Sequence, residues 1–188
     1  MKRALVAVVA GVLTLPLIAE AQSAPADFSG TWTLDQAKST GKPEPVSLAG
    51  GESPEIRDDG RVTGCAFAIA LGIPQAASNV DFFKLVIKQS PGEVFLTEGG
   101  VALKWKLDGT EDSVSALGRA GYPKGKAAWE GNKLVLATKQ DVYVGHAMFE
   151  SRTTRDVYSV QGGTLTIDKN ETFKGKTETK KLVYTKGS

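Results

Sequence analysis

The chain holds one histidine, His146, and one cysteine, Cys65, and these two residues bound the chemistry it could do. A zinc site draws its protein ligands from His, Cys and carboxylate side chains at characteristic spacings. No such spacing stands out here, so neither a metal nor a cofactor is expected. A Cys–His nucleophile pair needs its partners close only in space, yet His146 lies in the glycine-bearing stretch Tyr143-Val144-Gly145-His146-Ala147 and reads as a loop or rim residue. Cys65 sits in an apolar run, where a free thiol packs as a small hydrophobe. With no second cysteine, no intramolecular disulfide forms. The carboxylates Asp141, Glu150 and Asp156 are close in sequence to Arg152 and Arg155, which suits salt bridges on strand faces rather than acid–base catalysis. The expectation is that the protein is not an enzyme.

Within that group, Glu150, Arg152, Thr154, Asp156 and Tyr158 alternate, so on a strand they share one face. If that face points into a barrel, it supplies polar groups able to orient a ligand. If it points outward, Phe149, Thr153 and Val157 line the core instead. Both faces mix polar and apolar residues, and the sequence leaves the choice open.

Those residues need strands to hold them, and the body of the chain alternates with period two. In Val101-Ala102-Leu103-Lys104-Trp105-Lys106-Leu107 the odd positions are apolar, which turns one face inward and the other to water. Lysines at 104 and 106 would straddle any apolar stripe of period 3.6, so a helix is excluded there. Gly99-Gly100 before this run and Asp108-Gly109 after it are turn signals, which makes 93–98 and 101–107 a hairpin. Residues 126–129 and 133–138 pair around Glu130-Gly131-Asn132, and 148–160 pairs with 164–168 around Gln161-Gly162-Gly163. With 31–34, 80–89 and 177–185 this makes about nine strands, of the kind that build sandwiches or up-and-down barrels. No long amphipathic helix interrupts them after the N-terminal segment, so a parallel βαβ architecture is excluded.

The N-terminus reads as an export signal. Met1-Lys2-Arg3 is basic, Ala4 to Ile18 is apolar, and Ala19-Glu20-Ala21 puts small residues where a signal peptidase reads them. Cleavage is expected after Ala21, with Ala24-Pro25-Ala26 as a second candidate. The apolar stretch is shorter than the roughly 20 residues a spanning helix needs, so stable membrane insertion is not expected. Loss of Lys2, Arg3 and Glu20 lowers the formal charge from +2 to +1, too little basic character for nucleic-acid binding. Residues 22–188 therefore make one exported domain, periplasmic or secreted, and a monomer is expected.

Phe28-Ser29-Gly30-Thr31-Trp32-Thr33-Leu34-Asp35-Gln36-Ala37-Lys38-Ser39 resembles the opening of exported bacterial lipocalin-like proteins of the calycin type. The resemblance continues through Leu85-Val86-Ile87-Lys88-Gln89, Leu107-Asp108-Gly109, Ala128-Trp129-Glu130-Gly131-Asn132-Lys133-Leu134, and Tyr158 with Gly162-Gly163-Thr164-Leu165-Thr166-Ile167. It implies an all-β fold, an antiparallel up-and-down meander closing into a lipocalin-like barrel of about eight to ten strands. It also implies that Trp32 closes one end of the barrel under a cation from the last strand. That strand offers Lys180, Lys181 and Lys186 but no arginine, so the cation would be an ammonium rather than a stacked guanidinium.

Segment 41–79 departs from the pattern. Its apolar run Cys65 to Ile73 does not alternate, and it reads either as a lid or plug over the open end or as a piece of core. By analogy of fold, the expected function is enclosure of a small hydrophobic or amphipathic molecule in the lumen. The alternative is a structural or protein-interaction module of the cell envelope with a self-filled core, which large inward side chains at Trp105, Trp129, Phe83, Phe95 and Tyr184 would favour. The candidate lumen residues are Phe67, Ile69, Leu71, Phe83, Leu103, Trp105, Trp129 and Tyr158, chosen as large residues on apolar faces.

Overall fold

The computed structural model describes residues 25–43, 81–99, 101–114, 123–145 and 148–187. These carry ten strands: β1 Gly30–Leu34, β2 Lys84–Gln89, β3 Glu93–Glu98, β4 Val101–Lys106, β5 Asp112–Ser113, β6 Lys124–Glu130, β7 Lys133–Gly145, β8 Met148–Gln161, β9 Thr164–Phe173 and β10 Lys176–Lys186. They form one antiparallel sheet in the order β4-β3-β2-β1-β10-β9-β8-β7-β6-β5. Every neighbour is a sequence neighbour except β1 and β10, so the expected up-and-down meander is the fold. β1 lies between β2 and β10 and ties the start of the chain to its end, with Trp32 opposite Leu85 on one side and Lys186 on the other. The two sheet edges then approach, where the Lys104 amide donates to the Val114 carbonyl at 2.9 Å and β4 packs against β6. The barrel is nearly closed.

Alternation drives the packing. On β4, Val101, Leu103 and Trp105 are buried while Ala102, Lys104 and Lys106 lie on the other face. The two lysines face outward and pair with Glu93 at 3.5 Å and Asp112 at 2.7 Å. Phe95 shares the outer face with Lys88 and Lys104, its cross-strand partners, so it does not fill the core as expected. Gly162 and Gly163, with φ of 55° and 77°, make the two-residue loop between β8 and β9, the positive-φ geometry that matches strand twist.

One end of the barrel is sealed by its own side chains. Trp32 is 1 % exposed and its Nε1 donates to the Phe28 carbonyl at 2.9 Å. The Lys186 ammonium sits 5.4 Å from the Trp32 ring, the cation the last strand was expected to supply. Phe28, fully buried, stacks on Trp129 with ring centroids 5.9 Å apart. The Gln89 side chain holds this entry segment from both sides: its Oε1 accepts from the Phe28 amide at 3.1 Å and its Nε2 donates to the Ala26 carbonyl at 3.2 Å.

Some boundaries differ from expectation. β2 begins at Lys84 rather than residue 80, because Asp81 caps the Phe83 amide at 2.9 Å and turns the chain first. β9 continues past Asp168 to Phe173, and β7 to Gly145. β5 is two residues long, too short for any periodicity to mark. Cys65, His146 and residues 44–80, with Phe67, Ile69 and Leu71, lie outside the described residues.

Candidate functional site

Register decides which face of β8 looks inward. Leu134 on β7 stands opposite Tyr158, which stands opposite Ile167 on β9, which stands opposite Leu182 on β10. All four are buried in the core. Alternation then carries Asp156, Thr154 and Arg152 to the same inward face, and the face left open by the sequence is the polar one. Two neighbouring rows cross the sheet beside it: Leu136, Asp156, Lys169 and Lys180 in one, and Thr138, Thr154, Glu171 and Glu178 in the next.

The polar groups of this band partner one another across strands. Thr138 and Thr154 share a hydroxyl–hydroxyl hydrogen bond at 2.7 Å. Lys169 Nζ is 3.6 Å from Asp156 Oδ2, and Arg152 Nε is 3.2 Å from Glu171 Oε1. The Arg152 guanidinium also lies 4.8 Å from the centre of the Phe173 ring. Salt bridges on strand faces are thus present, but among the described residues none joins Asp141, Glu150 or Asp156 to Arg152 or Arg155. Asp156 takes Lys169, Arg152 takes Glu171, and Arg155 takes Glu130 at 2.7 Å on the outer face. Ladder register, rather than closeness in sequence, sets the pairs.

Among the described residues, four buried polar atoms have no aligned hydrogen-bond partner: Trp105 Nε1, Asp156 Oδ1, Tyr184 Oη and Arg152 Nε, the last being ion-paired with Glu171. Tyr184 is fully buried, Trp105 is 5 % exposed and the Asp156 side chain 14 %. Burial pushes the Asp156 carboxyl up from its ordinary value, against the pull of Lys169. The Tyr158 and Tyr184 phenols are pushed well up, first by burial and then by the negative charges of Asp156 and Glu98. Glu98 comes from β3, Asp156 and Tyr158 from β8, and Tyr184 from β10. Such a set can donate and accept hydrogen bonds to an enclosed molecule. Among the described residues, no three His, Cys, Asp or Glu side chains group so as to hold a metal ion.

Of the expected lumen residues, Phe83, Leu103, Trp105 and Tyr158 are buried in one core cluster, and Trp129 packs against it at the sealed end. Trp105 reaches across the closing seam, its indole nitrogen lying over Gly125 of β6 where a Cβ would crowd it. Selection by size and apolar face passes over Asp156, Glu98, Lys169 and Glu171, and takes Tyr184 only as a core filler. The alternation of Leu165, Ile167, Lys169 and Glu171 places the two β9 members on one face, given the strand's true length.

No family model matches the chain, and no curated protein matches it in sequence. It is similar to several solved structures. Zebrafish ileal bile acid-binding protein complexed with cholic acid is 20 % identical, over 85 % of this chain and 98 % of that one, with a TM-score of 0.42. A secretory abundant heat soluble protein from Ramazzottius varieornatus is 15 % identical over 88 % of this chain and 98 % of that one, TM-score 0.43. Secretory abundant heat soluble protein 4 from the same organism is 17 % identical over 85 % and 94 %, TM-score 0.38.

Proposed function

We propose that this protein is an exported barrel that encloses a small amphipathic molecule, its apolar part against the core residues and its polar end in the inward band. One observation carries the reading: among the described residues, Trp105 Nε1, Asp156 Oδ1 and Tyr184 Oη are buried with no hydrogen-bond partner. Each such group costs about 1–3 kcal/mol if it stays unbonded, so a self-contained core would gain by replacing them with apolar atoms of the same shape. A bound molecule with matching groups recovers that cost.

Native mass spectrometry of the mature protein, purified gently from its own host, tests this. A co-purifying small molecule near one per chain, released with a change in tryptophan fluorescence that Trp105→Phe diminishes, is the expected result. A clean apo mass, with no fluorescence response to apolar and amphipathic probes, overturns it. That outcome would favour the second reading, a structural or interaction module, for which the complete burial of Phe28, Leu134, Leu165 and Tyr184 speaks.

The export part of the proposal rests on the basic and apolar N-terminus and on the entry segment. Cleavage after Ala21 keeps the Ala26 carbonyl that Gln89 binds, whereas cleavage after Ala26 removes it. N-terminal sequencing of the mature protein should begin at Gln22, and an intact Met1 overturns export by this signal.

A further inference from the structure

The inward band also bears on what the polar end of an enclosed molecule is, an inference that rests on the ligand-binding proposal. Asp156 is its centre. Among the described residues its buried Oδ1 has no hydrogen-bond partner, and its Oδ2 lies 3.6 Å from Lys169 Nζ, longer than a hydrogen bond. Lys169 therefore leaves one oxygen of the carboxylate open to a further donor. Thr154 precedes Asp156 by two residues on the same face, about 7 Å away along the strand. Thr138 meets it from β7, the two hydroxyl oxygens 2.7 Å apart. A single hydroxyl hydrogen joins those oxygens, so lone pairs remain on both for another donor. Leu136, directly opposite Asp156, and Tyr158, two residues beyond it, are buried in the core, so an apolar wall begins where the polar groups end.

Charge selects the kind of donor. Glu171 and Glu178 lie in the next row of the same face, and Glu98 stands in register with the buried Leu85 and Val101. The cations of this face are Arg152, Lys169 and Lys180, and each already has an acid beside it: Glu171 at 3.2 Å, Asp156 at 3.6 Å and Glu178 at 3.9 Å. Toward the rim Glu150 and Lys176 offset one another, and Lys186 lies at the sealed end over Trp32. Among the described residues the band therefore holds one carboxylate more than it holds cations. An ammonium head supplies the missing positive charge, and its three N–H donors suit Asp156 Oδ1 and the threonine oxygens. Burial raises the Asp156 carboxyl against the pull of Lys169, and a second cation beside Oδ1 favours its ionised form. The head keeps part of its water, because the Glu171 and Glu178 side chains are 35 % and 74 % exposed, and the desolvation cost of a new ion pair falls accordingly. A carboxylate head meets the reverse, an excess of acids and no cation without one.

We propose that the barrel binds an apolar molecule ending in a primary amine, its ammonium held by the Asp156 carboxylate and the Thr154–Thr138 hydroxyl pair, in preference to the same chain ending in a carboxylate. The test is competition by dodecylamine, dodecanoate and 1-dodecanol for the neutral fluorescent probe N-phenyl-1-naphthylamine, on the mature protein at neutral pH. Dodecylamine should displace the probe at a concentration at least about ten-fold lower than either other chain, the size of one charge-assisted hydrogen bond. Asp156→Asn keeps the shape and loses the charge, and should bring dodecylamine to the level of 1-dodecanol while the probe still binds. Thr154→Val should weaken dodecylamine several-fold and leave 1-dodecanol unchanged, and it decides the matter alone if the Asp156 variant does not fold. Dodecanoate or 1-dodecanol competing as well as dodecylamine overturns the amine preference and leaves the ligand-binding proposal standing, as does a preference that survives in the folded variants. Failure of the probe and of all three chains to bind overturns both.

Discussion

The two halves of the barrel are built on different rules. β1 to β4 and β6 are five to seven residues long and bury an apolar residue at nearly every second position, as in Val94 and Leu96 of β3 or Leu85 and Ile87 of β2. β7 to β10 run ten to fourteen residues. They start or end in the same apolar core, through Leu134, Tyr158, Leu165, Ile167 and Leu182, and then carry Asp156, Lys169, Arg152 and Glu171 on the same inward face. The short half supplies stability by burial alone. The long half extends the same sheet with polar groups that burial does not reward, and that contrast separates what holds the barrel from what an interior guest would touch.

The contrast breaks most visibly at the sealed end of the barrel. Trp32→Ala and Phe28→Ala each remove a buried aromatic from a packed site, and each should cost about 3–5 kcal/mol in denaturant unfolding. Losses under about 1 kcal/mol would show that this end is not the foundation of the fold. Gly99→Ala comes next. Gly99 holds φ of 56° between β3 and β4, and an added Cβ would fall into the Phe82 ring. Left-handed backbone costs about 1–3 kcal/mol for a residue with a Cβ, and moving Phe82 adds to it. Stability equal to the parent would mean that the hairpin does not need this glycine.

How far the sequence exposed this division depended on the kind of signal. Clean alternation made 101–107 readable, and the Gly-x-Trp opening placed Trp32 at a closing end under a lysine, which is Lys186. The polar face of β8 could not be assigned, because alternation shows which residues share a face but not which side is buried when both are mixed. Its neighbours settle it: Leu134 and Ile167 flank Tyr158 in the ladder, and that register is a long-range fact. The pairs Asp156–Lys169 and Arg152–Glu171 escape for the same reason, each joining β8 to the stretch of β9 beyond Asp168, which the sequence does not mark as strand.

A smaller effect sharpens the comparison through pH. The folded protein holds the Asp156 carboxyl above its ordinary value of 3.8 because burial outweighs the attraction of Lys169. Between 3.8 and that raised value, the folded state binds more protons than the unfolded one, so stability from this group falls as pH rises through the window and returns as pH falls. Asp156→Asn cannot titrate. Melting temperatures of parent and variant, compared at neutral pH and near pH 4, should therefore show the parent gaining on the variant in acid. A difference independent of pH would mean that Lys169 compensates the carboxylate fully, and the polar band would then be a settled ion-pair network.

The smallest expected effect is the most telling. Tyr184 is fully buried, and among the described residues its hydroxyl has no hydrogen-bond partner to lose. Removing an unbonded buried hydroxyl while keeping the ring is close to neutral, or stabilising by up to about 1 kcal/mol. Tyr184→Phe should therefore unfold at the same denaturant concentration as the parent or slightly higher, in contrast to Trp32→Ala, although both residues lie in the same core. A loss well above 1 kcal/mol would show that the hydroxyl has a structural partner in the free protein, and the argument that the inward band awaits a guest would lose its main support. A neutral result leaves a buried tyrosine whose hydroxyl does nothing for the fold, as the ligand-binding proposal requires.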